Sequence, residues 1–416
     1  MNSKIKDVVK EQIEKIKPDK EIQGILEEET KKIINFLKNK IKKKNIKADI
    51  FLGGSFAKET IIKKDKYDID IYVRFQHDNK SISDTIAVIL GNKAERIHGS
   101  RDYFKLNKGK VSWEIIPILR INAAEKAKNI TDLSPFHVSY VKNCVKKNKL
   151  GDEIRLAKAF CYSQNVYGAE SYIRGLSGYA VELLVCYYKG FLQLVKAAAK
   201  SKDRIILDPE KFYKNKQEIL ENLNEAKLQS PIILVDPTYK SRNALAALSQ
   251  ETFIKFKETC IKFLEKPSEK FFEKKEFDEK SFRKIKGEFA MLEIKTNKQA
   301  GDIAGSKLLK FAKLLENEAS KYFEIKSKYF EYNDAQAAFL YLIIKKKQDR
   351  IISGPPICHL LNLTKFKSAH KSVFIKQGRS FAREKISFNF QGFLKRYIEK
   401  NKISIKSMGI TGLKLK

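Results

Sequence analysis

A chain of 416 residues exceeds what one hydrophobic core organises, so two to four domains are expected. Its 43% hydrophobic and 11% aromatic content excludes general disorder and assigns the 32% of charged residues to surfaces. With 84 Lys and Arg against 50 Asp and Glu, the formal net charge is +34, a surplus that calls for a polyanion and ranks nucleic acid ahead of an anionic membrane.

Residues 4 to 17 and about 20 to 45 carry apolar positions at helical spacing with Pro18 between them, which predicts two amphipathic helices. This N-terminus has no continuous apolar run of the kind a signal peptide needs, and nothing in the chain approaches the ~18 to 20 apolar residues of a membrane span. The expectation is a soluble, cytoplasmic protein with no membrane partner. The five cysteines, Cys144, Cys161, Cys186, Cys260 and Cys358, are scattered without a Cys-x-x-Cys pair and read as free core thiols.

ADIFLGG is a short apolar run ending in a glycine pair, and KYDIDIYVRF alternates strictly, so both predict strands. RDYFKLN and KVSWEIIPIL flank the turn Asn107-Lys108-Gly109-Lys110 as a hairpin. These elements make residues 1–145 an α/β head. From 146 to 265 long helical periods return, as in EIRLAKAFCYSQNVYG and SGYAVELLVCYYKGFLQLVKAAAK, interrupted by the strand-like PIILVDPTYKSRN with its Asp236-Pro237 turn. Residues 266–416 alternate lysine-rich loops, strand-like pieces (EFAMLEIKT, YFEYN, AFLYLIIKKK) and helices, an α+β tail whose last stretch IKSMGITGLKLK reads as a frayed basic end. The fold class is therefore α+β multidomain. The lysine-rich loop between about Lys200 and Gln229 receives no role.

The chemistry concentrates in GGSFAKET and KYDIDIYV. Gly53 and Gly54 permit a tight turn that brings backbone N–H groups and the Ser55 hydroxyl to an anion, and Lys58 adds a point charge suited to a triphosphate. Asp68 and Asp70, two apart in a strand, emerge on one face; such mutually repelling carboxylates are tolerated when cations sit between them, and a pair of Mg²⁺ ions is the usual reason in nucleotidyl transfer. Glu114 is the one acid of the apolar run VSWEIIPIL, where an unpaired charge is expensive, and is the candidate third ligand.

Gly-Ser, Asp-x-Asp and a later-strand carboxylate together resemble the polymerase-beta-like nucleotidyltransferase superfamily. SPFHVSYV, EIRLAKAFCYSQNVYGAESYIRGLSGYAVELLV and VDPTYKSRNALAALS narrow the resemblance to the archaeal-type, class I CCA-adding enzymes, with a looser match in GDIAGSKLLKF and from Gly354-Pro355 to Gln377-Gly378-Arg379. The resemblance implies a polymerase-beta-like head, a helical middle domain that contributes nucleotide and base recognition, and an RNA-binding tail. It implies that Asp68, Asp70 and Glu114 hold two Mg²⁺ ions, and that Gly54, Ser55, Lys58, Ser134, His137, Lys158 and Tyr167 hold the nucleotide. Arg242 would then read the Watson–Crick edge of the incoming base on a segment positioned by the Asp236-Pro237 turn. The implied activity is addition of C, C and A to tRNA 3′ ends from CTP and ATP, with the acceptor end and the elbow of tRNA bound by a homodimer. Two positions depart from the family: Glu114 stands where Asp is usual, and Ser134 where Thr is frequent. A poly(A)-type polymerase, a CC-only or A-only enzyme, or a catalytically silent tRNA-binding protein are the alternative readings; the intact Asp68, Asp70 and Ser55 argue against the last.

Overall fold

The computed structural model describes residues 3–78, 81–274 and 276–416. Its elements follow in chain order as α1 (Ser3–Ile16), α2 (Lys20–Lys43), β1 (Ala48–Leu52), the single turn α3 (Gly54–Ala57), β2 (Tyr67–Phe75), α4 (Ile82–Leu90), β3 (Glu95–Ile97), β4 (Tyr103–Lys108) and β5 (Val111–Leu119). The strands form one mixed sheet in the order β1-β2-β5-β4-β3, in which β2 and β5 run parallel and the other pairs antiparallel. Alternation along β2 and β5 sends Ile69, Ile71, Val73, Trp113 and Ile115 to the side covered by α2 and α4, where all five are fully buried. Trp113 donates its indole N–H to Thr30 Oγ1 of α2 at 3.1 Å, so the largest core side chain leaves no orphan donor. The opposite face of the same two strands is left to Asp68, Asp70, Ser112 and Glu114.

The chain continues through α5 (Ser134–Asn148), α6 (Gly151–Ser163), α7 (Gly178–Tyr188), α8 (Phe191–Lys200), β6 (Ile205–Leu207), α9 (Lys216–Asn222), α10 (Glu225–Leu228), β7 (Ile232–Asp236), β8 (Tyr239–Asn243) and α11 (Gln250–Glu265). Phe160, Phe191, Phe256 and Phe263 centre the helical core, and α1 contributes Ile5 and Ile16 to it. The lysine-rich loop closes its own small core of Ile219, Leu223, Ile233 and Val235 over the sheet β6-β7-β8. These residues and the strand sheet belong to one compact unit, 1–169 with 173–275.

A second unit comprises 170–172 and 276–416. It contains α12 (Glu279–Arg283), β9 (Glu288–Thr296), α13 (Asp302–Ala319), β10 (Phe323–Tyr332), β11 (Ala337–Lys346), β12 (Asp349–Pro356), α14 (Leu360–Ala369), β13 (Val373–Lys376), β14 (Arg379–Lys385), α15 (Phe390–Ser407) and β15 (Ile410–Leu415). An antiparallel sheet β10-β11-β9-β15 carries α13 and α15 around Phe311, Phe323 and Phe390, and a smaller sheet β12-β14-β13 lies between β11 and α15 in the chain.

Two expectations are corrected. Residues 410–415 are not frayed: they pair antiparallel with β9, Leu413 opposite Ile294, because an open sheet edge satisfies a backbone whose own sequence has no strand period. Nor are all five cysteines free core thiols. Cys144 of α5 and Cys186 of α7 form a disulfide, Cys358 is exposed, and only Cys161 and Cys260 are buried thiols. A pairing 42 residues apart on two helices leaves no spacing signature in the sequence. Among the described residues no helix is long and apolar enough to cross a membrane.

Candidate active site

The parallel register of β2 and β5 sets Asp70 beside Glu114 and Asp68 beside Ser112, all on the face turned away from the core. The antiparallel hairpin sets Lys105 of β4 opposite Glu114. The Lys105 ammonium stands 3.6 Å from Glu114 Oε1 and 3.7 Å from Asp68 Oδ1, a cation between two of the three carboxylates. The glycine turn closes over this face: Gly53 N–H donates to the Asp70 carbonyl at 2.9 Å, and Gly54 has φ +62°. A Cβ at Gly54 would overlap the Asp70 carboxylate, so both backbone and space demand glycine there.

Burial pushes the Asp70 carboxyl up to about 6, against the pull of Lys58 and with the push of Asp68. Glu114 rises to about 7, again by burial first and then by repulsion from Asp70. Two neighbouring carboxylates that resist ionisation mark a place where negative charge lacks internal compensation.

A cluster of opposite character lies across the turn. Glu182 of α7 is fully buried and accepts from Lys58 Nζ at 2.5 Å, Lys158 Nζ at 2.6 Å and Thr60 Oγ1 at 3.0 Å. Lys158 also reaches Thr60 Oγ1 at 2.9 Å. Burial alone would raise the Glu182 carboxyl; Lys158 and then Lys58 outweigh it and hold it at about 2. Burial draws the Lys158 amine down to about 8, with Glu182 the main opposing influence. Ser55, Asp68, Lys158 and Tyr167 line a shared pocket of about 50 Å³, which joins the glycine turn, the acidic strand and the middle-domain helix α6.

A third cluster centres on Asp236 at the end of β7, fully buried and held well below the usual carboxylate range despite that burial by His137 and Arg242. It accepts from Arg242 Nη1 at 2.5 Å, Tyr179 Oη at 3.0 Å, and Thr238 N and Oγ1 at 2.9 and 2.8 Å. His137 stacks on Tyr179 with ring centroids 4.1 Å apart. Its Nε2 is 3.3 Å from Asp236 Oδ2 in a geometry that does not make a hydrogen bond, and burial draws the imidazole below its ordinary value against the pull of Asp236. Arg242 also lies over the Tyr179 ring at 5.7 Å. Ser134, at the start of α5, puts its hydroxyl against that of Tyr72, the next outward residue of β2 after Asp70.

The structure thus gathers Asp68, Asp70, Glu114 and Gly54 in one group, Ser55, Lys58, Lys158 and Tyr167 in a second, and His137 with Arg242 in a third, with Ser134 beside the first. Sequence reasoning missed Lys105, Glu182, Tyr179 and the anchoring of Arg242 by Asp236. Lys105 was not recoverable from the expected turn at Asn107–Lys110, which would set it opposite Ser112; the strands instead close with Lys108 opposite Val111, and that register brings Lys105 to Glu114. Glu182 carried the signal used for Glu114, a lone acid in the apolar run AVELLVCYY.

The residues fit a divalent cation in kind. Three carboxylates share a face, a lysine ammonium stands among them, and the buried Ser112 hydroxyl beside Asp68 has no hydrogen-bond partner. Among the described residues no three His, Cys, Asp or Glu side chains converge closely enough to hold an ion by themselves.

Residues 152–273 match the family model described as tRNA nucleotidyltransferase, second domain. A CCA-adding enzyme of Nanoarchaeum equitans is 32% identical over 384 residues, 89% of this chain and 93% of the relative. Another from Methanocaldococcus jannaschii is 29% identical over 402 residues, 91% and 87% of the two chains. In fold, a solved cytoplasmic RNA terminal U-transferase superposes with a TM-score of 0.51 at 15% identity, over 67% of this chain and all of that one.

Proposed function

The chain belongs to the CCA-adding enzymes, the tRNA nucleotidyltransferases, and we propose that the acidic face of β2 and β5 is where it performs its reaction. It adds C, C and A to the 3′ end of tRNA by nucleotidyl transfer from CTP and ATP. The observation that carries the assignment of the site is the juxtaposition of Asp70 and Glu114 in register, with the lysines 58 and 158 gathered across the glycine turn.

Asp68, Asp70 and Glu114 would hold the divalent ions, which we take to be two Mg²⁺. When bound, these ions make the tRNA 3′ hydroxyl a better nucleophile and neutralise the departing pyrophosphate. The chain's own groups do the rest. Backbone N–H groups of the Gly53-Gly54 turn and the Ser55 hydroxyl meet the phosphates, and Lys58 and Lys158 supply positive charge against the triphosphate. Tyr167, His137 and Ser134 hold the nucleotide, and Arg242 offers its fork to the base edge from an orientation fixed by Asp236. Lys105 partly offsets the charge of Asp68 and Glu114 when no ion is present. Glu114, with one methylene more than Asp, keeps the ligand chemistry. The basic second unit, 170–172 with 276–416, grips the tRNA elbow, and the enzyme works as a cytoplasmic homodimer.

The test supplies the protein with Mg²⁺ and tRNA transcripts ending at the discriminator base, at +C or at +CC, with CTP, ATP or both, and sequences the products. Completion of each to CCA and no further is expected. Extended A tails would make it a poly(A)-type polymerase, addition of only CC or only A a partial enzyme, and no addition a silent binding protein. Deleting 276–416 should raise the KM for tRNA steeply and affect a short acceptor-stem minihelix less.

A further inference from the structure

Lys58 and Lys158 come from different parts of the first unit, one following the glycine turn of the strand sheet and one on helix α6, yet both ammonium groups end on the same carboxylate. Glu182 is fully buried, Lys158 is 3% exposed and Lys58 8% exposed. Two ammonium groups brought together away from water repel each other and lose their hydration, and neither would keep a fixed place. A carboxylate between them removes the repulsion and fixes both. Thr60, whose hydroxyl contacts Lys158 and Glu182, closes the cluster from the loop that follows the turn.

The donor count shows what remains for a ligand. Each ammonium has three N–H bonds. Lys58 gives one to Glu182 Oε2 and retains two. Lys158 gives one to Glu182 Oε1, one to Thr60 Oγ1 and a longer one to the Thr60 carbonyl at 3.4 Å, so the N–H bonds still open to a ligand are those of Lys58 and Lys158 acts through its charge. Two positive charges against one negative leave the lysine cluster itself with a net positive charge, beside the pocket that Ser55, Lys158 and Tyr167 line together with Asp68. A cluster neutralised by two carboxylates would have nothing to offer a phosphate.

We propose that Glu182 is a positioning residue of the nucleotide site, which docks Lys58 from the end of the glycine turn and the helix-borne Lys158 onto one carboxylate and so assembles the triphosphate-binding cations before nucleotide arrives. It touches no reacting atom. Its effect is on phosphate affinity, through where the two ammonium groups stand. The inference rests on the reading of Lys58 and Lys158 as triphosphate ligands.

The experiment compares Glu182→Gln and Glu182→Asp with the parent in full-length enzyme, and uses inorganic tripolyphosphate as an inhibitor that reports on phosphate binding alone. Glu182→Gln is expected to raise the KM for CTP and ATP about tenfold and the tripolyphosphate inhibition constant in step, with the KM for tRNA and kcat at saturating nucleotide within about threefold. Glu182→Asp keeps the charge and shortens the reach, and should raise both constants about threefold with an unfolding midpoint near the parent's. If Glu182→Gln does not fold, Glu182→Asp decides. Unchanged tripolyphosphate inhibition in the folded variant overturns the proposal. Equal loss towards tRNA and tripolyphosphate also overturns it, since that is the mark of a residue that only holds the fold. Lys58→Ala and Lys158→Ala separate the two readings. If these weaken tripolyphosphate inhibition and the Glu182 variants do not, the lysines are phosphate ligands without Glu182's help. If they leave inhibition unchanged, the lysine assignment and the proposal fall together.

Discussion

Asp70 and Glu182 are carboxylates of the first unit, the one half-buried and the other fully buried, and their surroundings pull them in opposite directions. Glu182 has two lysines and a threonine hydroxyl, and stays ionised far below its ordinary range. Asp70 has Glu114 beside it in register, and burial, with repulsion from Asp68, pushes its carboxyl up against the pull of Lys58. A buried charge satisfied from within the chain organises the structure around it; one left uncompensated requires a cation from outside. This contrast supports the proposal that the Glu182 cluster belongs to the architecture of the site and the Asp70 cluster to its chemistry.

The sharpest way to break the contrast is to remove the charge from each cluster and read different quantities. Asp70→Ala should lower single-turnover addition about a thousandfold or more, since charge stabilisation supplies a large share of phosphoryl-transfer catalysis. Its affinity for tRNA in a filter-binding assay should stay within about twofold, a shift too small to register as a lost phosphate contact. More than about a hundredth of the activity surviving would be hard to reconcile with a metal ligand.

In stability the order reverses. Glu182→Leu should cost about 3 kcal/mol or more in denaturant unfolding, because it strands two buried ammonium groups. Asp70→Asn, measured in chelator, should be neutral or stabilising. A Glu182→Leu protein as stable as the parent would remove the basis for calling the first cluster architectural.

Arg242 tests whether the Asp236 cluster sides with one or the other. Arg242→Ala should erode discrimination of CTP and ATP against GTP and UTP by about tenfold, the order of a bidentate contact. Tripolyphosphate inhibition should be unaltered. If all four nucleotides suffer equally, Arg242 serves phosphate or fold and not the base edge.

The mildest readout is a pair of slopes. Glu182 is at about 2 in the folded protein against an ordinary 4.5, so the unfolded chain binds the extra proton; the stability it contributes is complete above about 4.5 and is lost as pH falls towards 2. Asp70, at about 6 against 3.8, and Glu114, at about 7 against 4.5, bind the proton better when folded. Without a divalent ion, stability therefore falls as pH rises from about 4 to about 7. Unfolding midpoints against pH should show the acid arm flattened by Glu182→Gln, the neutral arm flattened by Asp70→Asn, and the neutral arm suppressed by added Mg²⁺. A parent profile without the neutral arm would show that the carboxylate face is already compensated.

Much of this was legible in the sequence wherever the physics is local. Period-two alternation determined that Asp68 and Asp70 share a face and that Ile69 and Ile71 enter the core; the turn at Gly109 determined the hairpin, and with it the strand that bears Glu114. Surplus lysine pointed to a polyanion without any knowledge of the fold. Only tertiary structure decided which charges meet. Lys58 and Glu182 are 124 residues apart and Lys158 and Glu182 are 24 apart, and no periodicity links them. The same holds for the disulfide between Cys144 and Cys186, and for residues 410–415, which become a strand because β9 offers them an edge. A local pattern fixes the direction in which a side chain leaves the backbone; whether a partner waits there depends on how distant segments pack.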